Sequence, residues 1–257
     1  MSRYEQFVAF MTILRKEVRR YLRIWSQTLL PSAITMSLYY VIFGNLIGSR
    51  IGTMGGFTYM EFVVPGLIMM AIVTNSYANV VSSFFGAKFN NSVEELLVSP
   101  IPAYVILCGY LAGGVSRGVL VAVIVTAVSL FFTRLPIHNP GMVILVVTLT
   151  SILFSLLGFI NAVYANTFDD ISIVPTFVLT PLTYLGGVFY SLDLLPDFWA
   201  TVSQANPLVY VVSAFRFGML GTSDVNILFA LAMISACMVA AFSYSLHLLH
   251  TGKRLRT

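Results

Sequence analysis

Residues 24–49 read IWSQTLLPSAITMSLYYVIFGNLIGS, a run between Arg23 and Arg50 without a single Asp, Glu, Lys or Arg. A helix rises about 1.5 Å per residue, so about 20 such residues match the roughly 30 Å hydrocarbon core of a bilayer. The same absence of charge returns between Glu61 and Lys88, Glu95 and Arg117, Arg117 and Arg134, Arg134 and Asp169, Asp170 and Asp193, and Asp224 and Lys253. With 58% hydrophobic and 9% charged residues and a mean hydropathy of +0.89, a water-soluble domain would have almost nothing to turn towards solvent. The runs are too long and too continuously apolar for alternating barrel strands, so helices must satisfy the backbone. The expected fold class is an all-α polytopic membrane protein.

Six spans are expected, near 27–48, 61–86, 103–132, 141–164, 171–191 and 225–249, in one membrane domain covering 1–257. An even number puts both termini on one side. The N-terminal segment (Arg3, Arg15, Lys16, Arg19, Arg20, Arg23), Lys88 and the tail (Lys253, Arg254, Arg256) hold ten of the fourteen cations. Arg50, Arg134 and Arg216 fall on the opposite side and Arg117 lies inside a span, a bias that places the termini in the cytoplasm. The net charge of +4 then reflects topology, and no nucleic-acid partner is needed to account for it.

The first 25 residues do not have the form of a signal peptide, because the apolar run that follows is too long and lacks a small-residue cleavage site. Phe7, Phe10, Met11, Leu14, Val18 and Trp25 recur at helical spacing, with Lys16, Arg19, Arg20 and Arg23 largely elsewhere around the helix. Residues 1–25 are therefore expected to form an amphipathic helix on the cytoplasmic membrane surface. Cys108 and Cys237 fall within spans and give no disulfide framework.

Catalytic chemistry is missing. There is no G-x-x-x-x-G-K-[ST] phosphate loop, so the chain is not expected to bind a cofactor or hydrolyse ATP itself. His138, His247 and His250 are too scattered to draw a metal site, and none is expected. The adjacent Asp169 and Asp170 point about 100° apart on a helix and do not form a converging acid–base dyad. An ion-driven transporter or a channel remains the alternative, but it would call for an ionisable group near the midplane and an inverted repeat. The one deep charge is Arg117, read either as a cation lining a pathway or as a side chain reaching back to the headgroups.

The loop at 88–100 reads as a short helix with Asn91, Glu94 and Glu95 in polar positions, Leu96 and Leu97 apolar, and a stop at Pro100 and Pro102. After the fifth span come Leu185-Gly186-Gly187-Val188-Phe189-Tyr190, then Leu195-Pro196, then Asn206-Pro207-Leu208-Val209-Tyr210, ending at Arg216. This run resembles, in residue type and order, the signature of the type-2 ABC exporter permeases. Pro65-Gly66-Leu67-Ile68-Met69-Met70, Ser83 to Phe89 and Phe168-Asp169-Asp170-Ile171-Ser172 are similar to stretches of a bacterial inner-membrane member of that family.

The resemblance implies that 88–100 is a coupling helix touching a separate ATPase, with Asn91, Glu94, Glu95, Asp169 and Asp170 as contact candidates. It implies that 192–222 dips into the membrane from outside as an external gate, with Gly186, Gly187, Pro196, Pro207, Tyr210 and Arg216 as its marked residues. Asp193, Asp197 and Asp224 are the acids within reach of Arg216. The implied assembly is a homodimer in the bacterial inner membrane with two ATPase subunits, which carry the ATP and Mg. Candidate pathway residues are Thr74, Asn75, Ser76, Asn79, Arg117, Thr180, Pro181 and Thr183, each of which also fits a role in interhelical hydrogen bonding.

Overall fold

The chain enters as α1 (Arg3–Arg23), started by a reciprocal cap in which Ser2 and Glu5 bond each other's backbone N–H. The computed structural model describes residues 1–252 and Arg254, apart from the side chains of Asn45, Ser49 and Asp193. Lys253, Arg256 and Thr257 of the basic tail, and the Asp193 carboxylate, therefore lie outside the described residues.

After α2 (Trp25–Thr28) the helix breaks, because Pro31 at the start of α3 (Leu30–Tyr39) has no N–H to continue the ladder. From α3 the path stays helical through a π-helical stretch, Tyr40–Ile47, into α4 (Gly48–Ile51). The two-residue strands β1 (Thr53–Met54) and β2 (Phe57–Thr58) form a hairpin with Thr53 opposite Thr58. Thr58 and Glu61 then build a second capping box and start α5 (Tyr59–Phe89). Glu61, expected only to mark the end of a span, is thus a capping group.

α5 is about 46 Å long, well beyond a bilayer core, and is buried along most of its length. Around it stand α7 (Ala103–Ser129), α8 (Pro140–Tyr164) and the later α12 (Pro207–Leu220), with α6 (Ser92–Val98) between α5 and α7. Asn139 caps α8 and Asn226 caps α13 (Ile227–Thr251), which buries only one stripe and is the outermost long helix. Among the described residues, α5, α7, α8 and α13 are the four helices long and apolar enough to cross a membrane.

The expected fifth span departs from a helix. α9 (Asp170–Val174), a π-helical stretch Pro175–Leu179 and α10 (Thr180–Tyr184) run together for only about 20 Å. The chain then leaves helical geometry, and its continuation through Gly186, Gly187 and Val188 is buried against α5. Irregular backbone at such depth is tolerable only where protein covers it. Gly66 makes that cover possible, since a Cβ there would sit 2.8 Å from the Val188 carbonyl oxygen and 2.9 Å from its Cα.

A 3₁₀ turn at Leu192–Leu194 leads to α11 (Asp197–Gln204) and α12 (Pro207–Leu220). Pro196 is the N-cap of α11 and Pro207 opens α12, so both prolines start helices. At about 21 Å, α12 is too short to cross, and Gly221 ends it at φ +79°.

Candidate functional site

Three polar clusters are buried among otherwise apolar helices. The first is built on Arg216, which is 1% exposed. Its Nη1 donates to Asp224 Oδ2 at 2.9 Å, its Nη2 donates to the Gly187 carbonyl at 2.6 Å, and the guanidinium lies 3.8 Å from the Phe62 ring centre. Ser191 donates to the other Asp224 oxygen at 2.9 Å. Of the acids considered for Arg216, Asp224 is the partner the structure supplies. One side chain thus ties α12 to the irregular segment after α10, to the loop before α13 and to α5. Nearby, Asn206 caps α12 and donates to the Leu182 carbonyl at 2.6 Å, and Tyr210 donates to the Gln204 carbonyl at 2.8 Å.

The second cluster surrounds Arg117. The break before α3 leaves the Thr28 carbonyl without a helical partner, and Arg117 Nη2 donates to it at 3.1 Å and to Asn75 Oδ1 at 2.9 Å. Asn75 in turn donates to Ser32 Oγ, so α7, α5 and α3 meet on one buried amide. Arg117 is occupied by this junction.

The third cluster was not legible in the sequence. Glu17 of α1 is fully buried, accepting from Ser83 Oγ at 2.5 Å and from Arg20 Nη2 at 3.3 Å. Arg20 also donates to the Asn79 carbonyl and Oδ1, at 2.8 and 2.9 Å. The face that α1 turns to the protein is Ile13, Glu17 and Tyr21, while Phe7 and Trp25 remain exposed. It fits because Gly109 and Gly113 open a groove along α7, where a Cβ at Gly113 would stand 2.5 Å from Glu17 Cβ. The sequence signal that could have exposed this contact is Gly109-x-x-x-Gly113.

Among the pathway candidates, Thr74, Thr180 and Thr183 share a cleft of about 70 Å3 between α5 and the π-helical stretch and α10, beside Tyr77 and Leu179. Pro181 is exposed on α10. Asn75, Ser76 and Asn79 do not join this cleft: Asn75 faces Arg117, Asn79 faces Arg20, and Ser76 packs where Gly118 and Ser151 close in.

At the other end, Lys88 Nζ donates to the Val163 and Ala165 carbonyls at 2.7 and 2.8 Å, clasping the end of α5 to the end of α8. Phe168 packs on Phe85 and Phe89, each with ring centres 5.0 Å away. The two loops carrying Asn91, Glu94 and Glu95 and carrying Asp169 and Asp170 are therefore neighbours. Asn91 turns the chain at φ +58°, and Val93 roots α6 in the core. The N–H groups of Asn166 and Thr167 bond Asp170 and hold its carboxyl below the usual carboxylate range, so Asp170 is engaged in a turn while Asp169 is exposed. No three of His, Cys, Asp or Glu among the described residues converge to hold a metal ion.

The sequence model for ABC-2 type transporters matches residues 8–220, from α1 to the end of α12. The chain belongs to the ABC-2 type transporter family. This ABC-2 chain is 57% identical over 251 residues to the inner membrane transport permease YadH of Escherichia coli (strain K12), covering 98% of each. It is also 24% identical over 213 residues to Nodulation protein J of Sinorhizobium fredii (strain NBRC 101917 / NGR234), covering 82% of this chain and 79% of that one. Family and helices together make it a multi-pass membrane protein.

Proposed function

We propose that the chain is the permease subunit of an ATP-driven exporter in a bacterial inner membrane, with two copies forming the pathway and two separate ATPase subunits docked on the cytoplasmic side. The observation that carries this reading is the joining of the two loops at the ends of α5 and α8, in a chain whose residues 8–220 match the ABC-2 type transporter family. A chain of this family with no phosphate loop takes its energy from elsewhere, and a displacement of α6 would reach α5 and α8 through Lys88 and the Phe85–Phe89–Phe168 contacts. The cargo is left open.

In this reading the helical path from Leu30 to Ile51 is the first crossing, about 30 Å long, and α9, the π-helical stretch, α10 and the buried segment after them complete the fifth. Residues 192–222 then form an external gate, held shut by Arg216. Cysteine labelling tests this arrangement. Cysteines at Thr53 and His138 should react with an impermeant thiol reagent from outside, and one at Asn90 should not. Asn90 is preferred to Asn91, whose left-handed backbone disfavours Cys. Labelling of position 90 from outside would overturn the six-span topology.

Coupling is tested at Glu94 and Glu95, the carboxylates of α6. Replacing both with Ala should lower the ATPase activity that the permease stimulates in its partner several-fold while insertion and dimerisation persist. Full stimulation by the double variant would exclude them as the contact and turn attention to Asp169.

A further inference from the structure

Lys16, Arg19, Arg20 and Arg23 stand at i, i+3, i+4 and i+7 of α1 and line, with Leu22, a cleft of about 760 Å3. Such a stripe is self-repelling, because each i, i+4 pair, Lys16 with Arg20 and Arg19 with Arg23, sets like charges side by side. One carboxylate, Glu17, offsets it, and of these four cations Glu17 pairs with Arg20 only. Arg19 and Arg23 are exposed and have no acidic partner among the described residues, and Arg20 Nε is buried without a hydrogen-bond partner.

The structure thus offers a concentrated, mostly uncompensated positive cleft whose floor, Arg20, is fixed by Asn79. Beside and beyond it on the same stretch of chain, Leu22, Trp25 and Leu30 are exposed apolar groups. An anion with an apolar tail fits both features, as a phosphate would satisfy the guanidinium forks while its chains lie along Leu22, Trp25 and Leu30.

We infer that α1 carries a binding site for the phosphate headgroup of an anionic membrane lipid, formed by Lys16, Arg19, Arg20 and Arg23. The inference rests on α1 lying at the membrane surface and not on ATP coupling, so it is tested on the permease alone. An acidic peptide would meet the charge but leave the apolar flank unused.

The test is a native mass-spectrometric titration of the purified full chain with phosphatidylglycerol and, separately, phosphatidylcholine. The wild type should retain phosphatidylglycerol preferentially. Each cation near a headgroup contributes about fivefold, so R19Q together with R23Q should weaken phosphatidylglycerol binding roughly 25-fold. The same variant should leave phosphatidylcholine binding unchanged and should not lower thermal stability, since neither side chain has a hydrogen-bond or ion-pair partner among the described residues and their mutual repulsion is removed. R50Q, a distant exposed cation, should bind as wild type. Equal retention of both lipids, or undiminished phosphatidylglycerol binding in R19Q/R23Q, overturns the site. Inorganic phosphate that displaces phosphatidylglycerol and stabilises the wild type as strongly as the lipid does would show a soluble anion to be the ligand and overturn the lipid assignment.

Discussion

Replacing Arg216 by Ala is expected to remove about 3–5 kcal/mol of stability, the range for breaking one side of a buried ion pair. The cost arises from what is left behind: Asp224 loses its cation, and the buried Gly187 carbonyl, which lies outside any helix, loses its donor. The variant should still insert, because the four long helices are untouched, but its unfolding midpoint in detergent should fall by several degrees. Protease should also cut between Leu185 and Leu195, where the wild type should resist. Arg216→Lys should recover only part of the loss, since an ammonium can pair with Asp224 but cannot also reach Gly187 and stack on Phe62. An Arg216→Ala protein with wild-type midpoint and protease resistance would show that the cluster does not hold the outer segment.

The second large effect is expected at the Glu17 cluster. Gly113→Val forces a side chain into space that Glu17 Cβ occupies 2.5 Å away, an overpacking worth about 1–3 kcal/mol. Glu17→Ala acts from the other side, leaving Ser83 without its acceptor and Arg20 without its carboxylate. Its cost should also be about 1–3 kcal/mol, less than for Arg216, because Arg20 is 24% exposed and keeps its bonds to Asn79. Both variants should release the same helix. Amide exchange of α1 should accelerate strongly in each while α8 stays protected; unchanged exchange in both would mean that α1 is held by its lipid-facing side instead.

These clusters mark where sequence reading reached its limit. Charge-free runs located the four long apolar helices within a few residues, and the family resemblance marked 192–222, where α11 and α12 lie, as a segment apart from the spans. The expectation of a helix through the whole fifth span fails from Leu185 to Tyr190, because this stretch is as apolar as a helix would be and composition does not separate a spanning helix from a buried irregular segment. Pro175 and Pro181 were the available warning. Grouping Thr74 with Asn75 and Asn79 ignored helical geometry: Asn75 and Asn79 share a face at i, i+4, while Thr74 points about 100° away from Asn75, towards the cleft with Thr180 and Thr183. Glu17 was hidden for a different reason. A carboxylate set among Lys16, Arg19 and Arg20 gives no sign of burial until the glycines of α7 are seen to receive it.

The exporter reading stands or falls on what the permease is assembled with. Native mass spectrometry of the complex purified from its own membranes should give two copies of the 28.3 kDa chain bound to two ATP-hydrolysing subunits. That assembly should hydrolyse ATP, and the chain stripped of its partners should not. A chain that purifies without any ATPase subunit, and that transports in vesicles driven only by an ion gradient, would contradict the account.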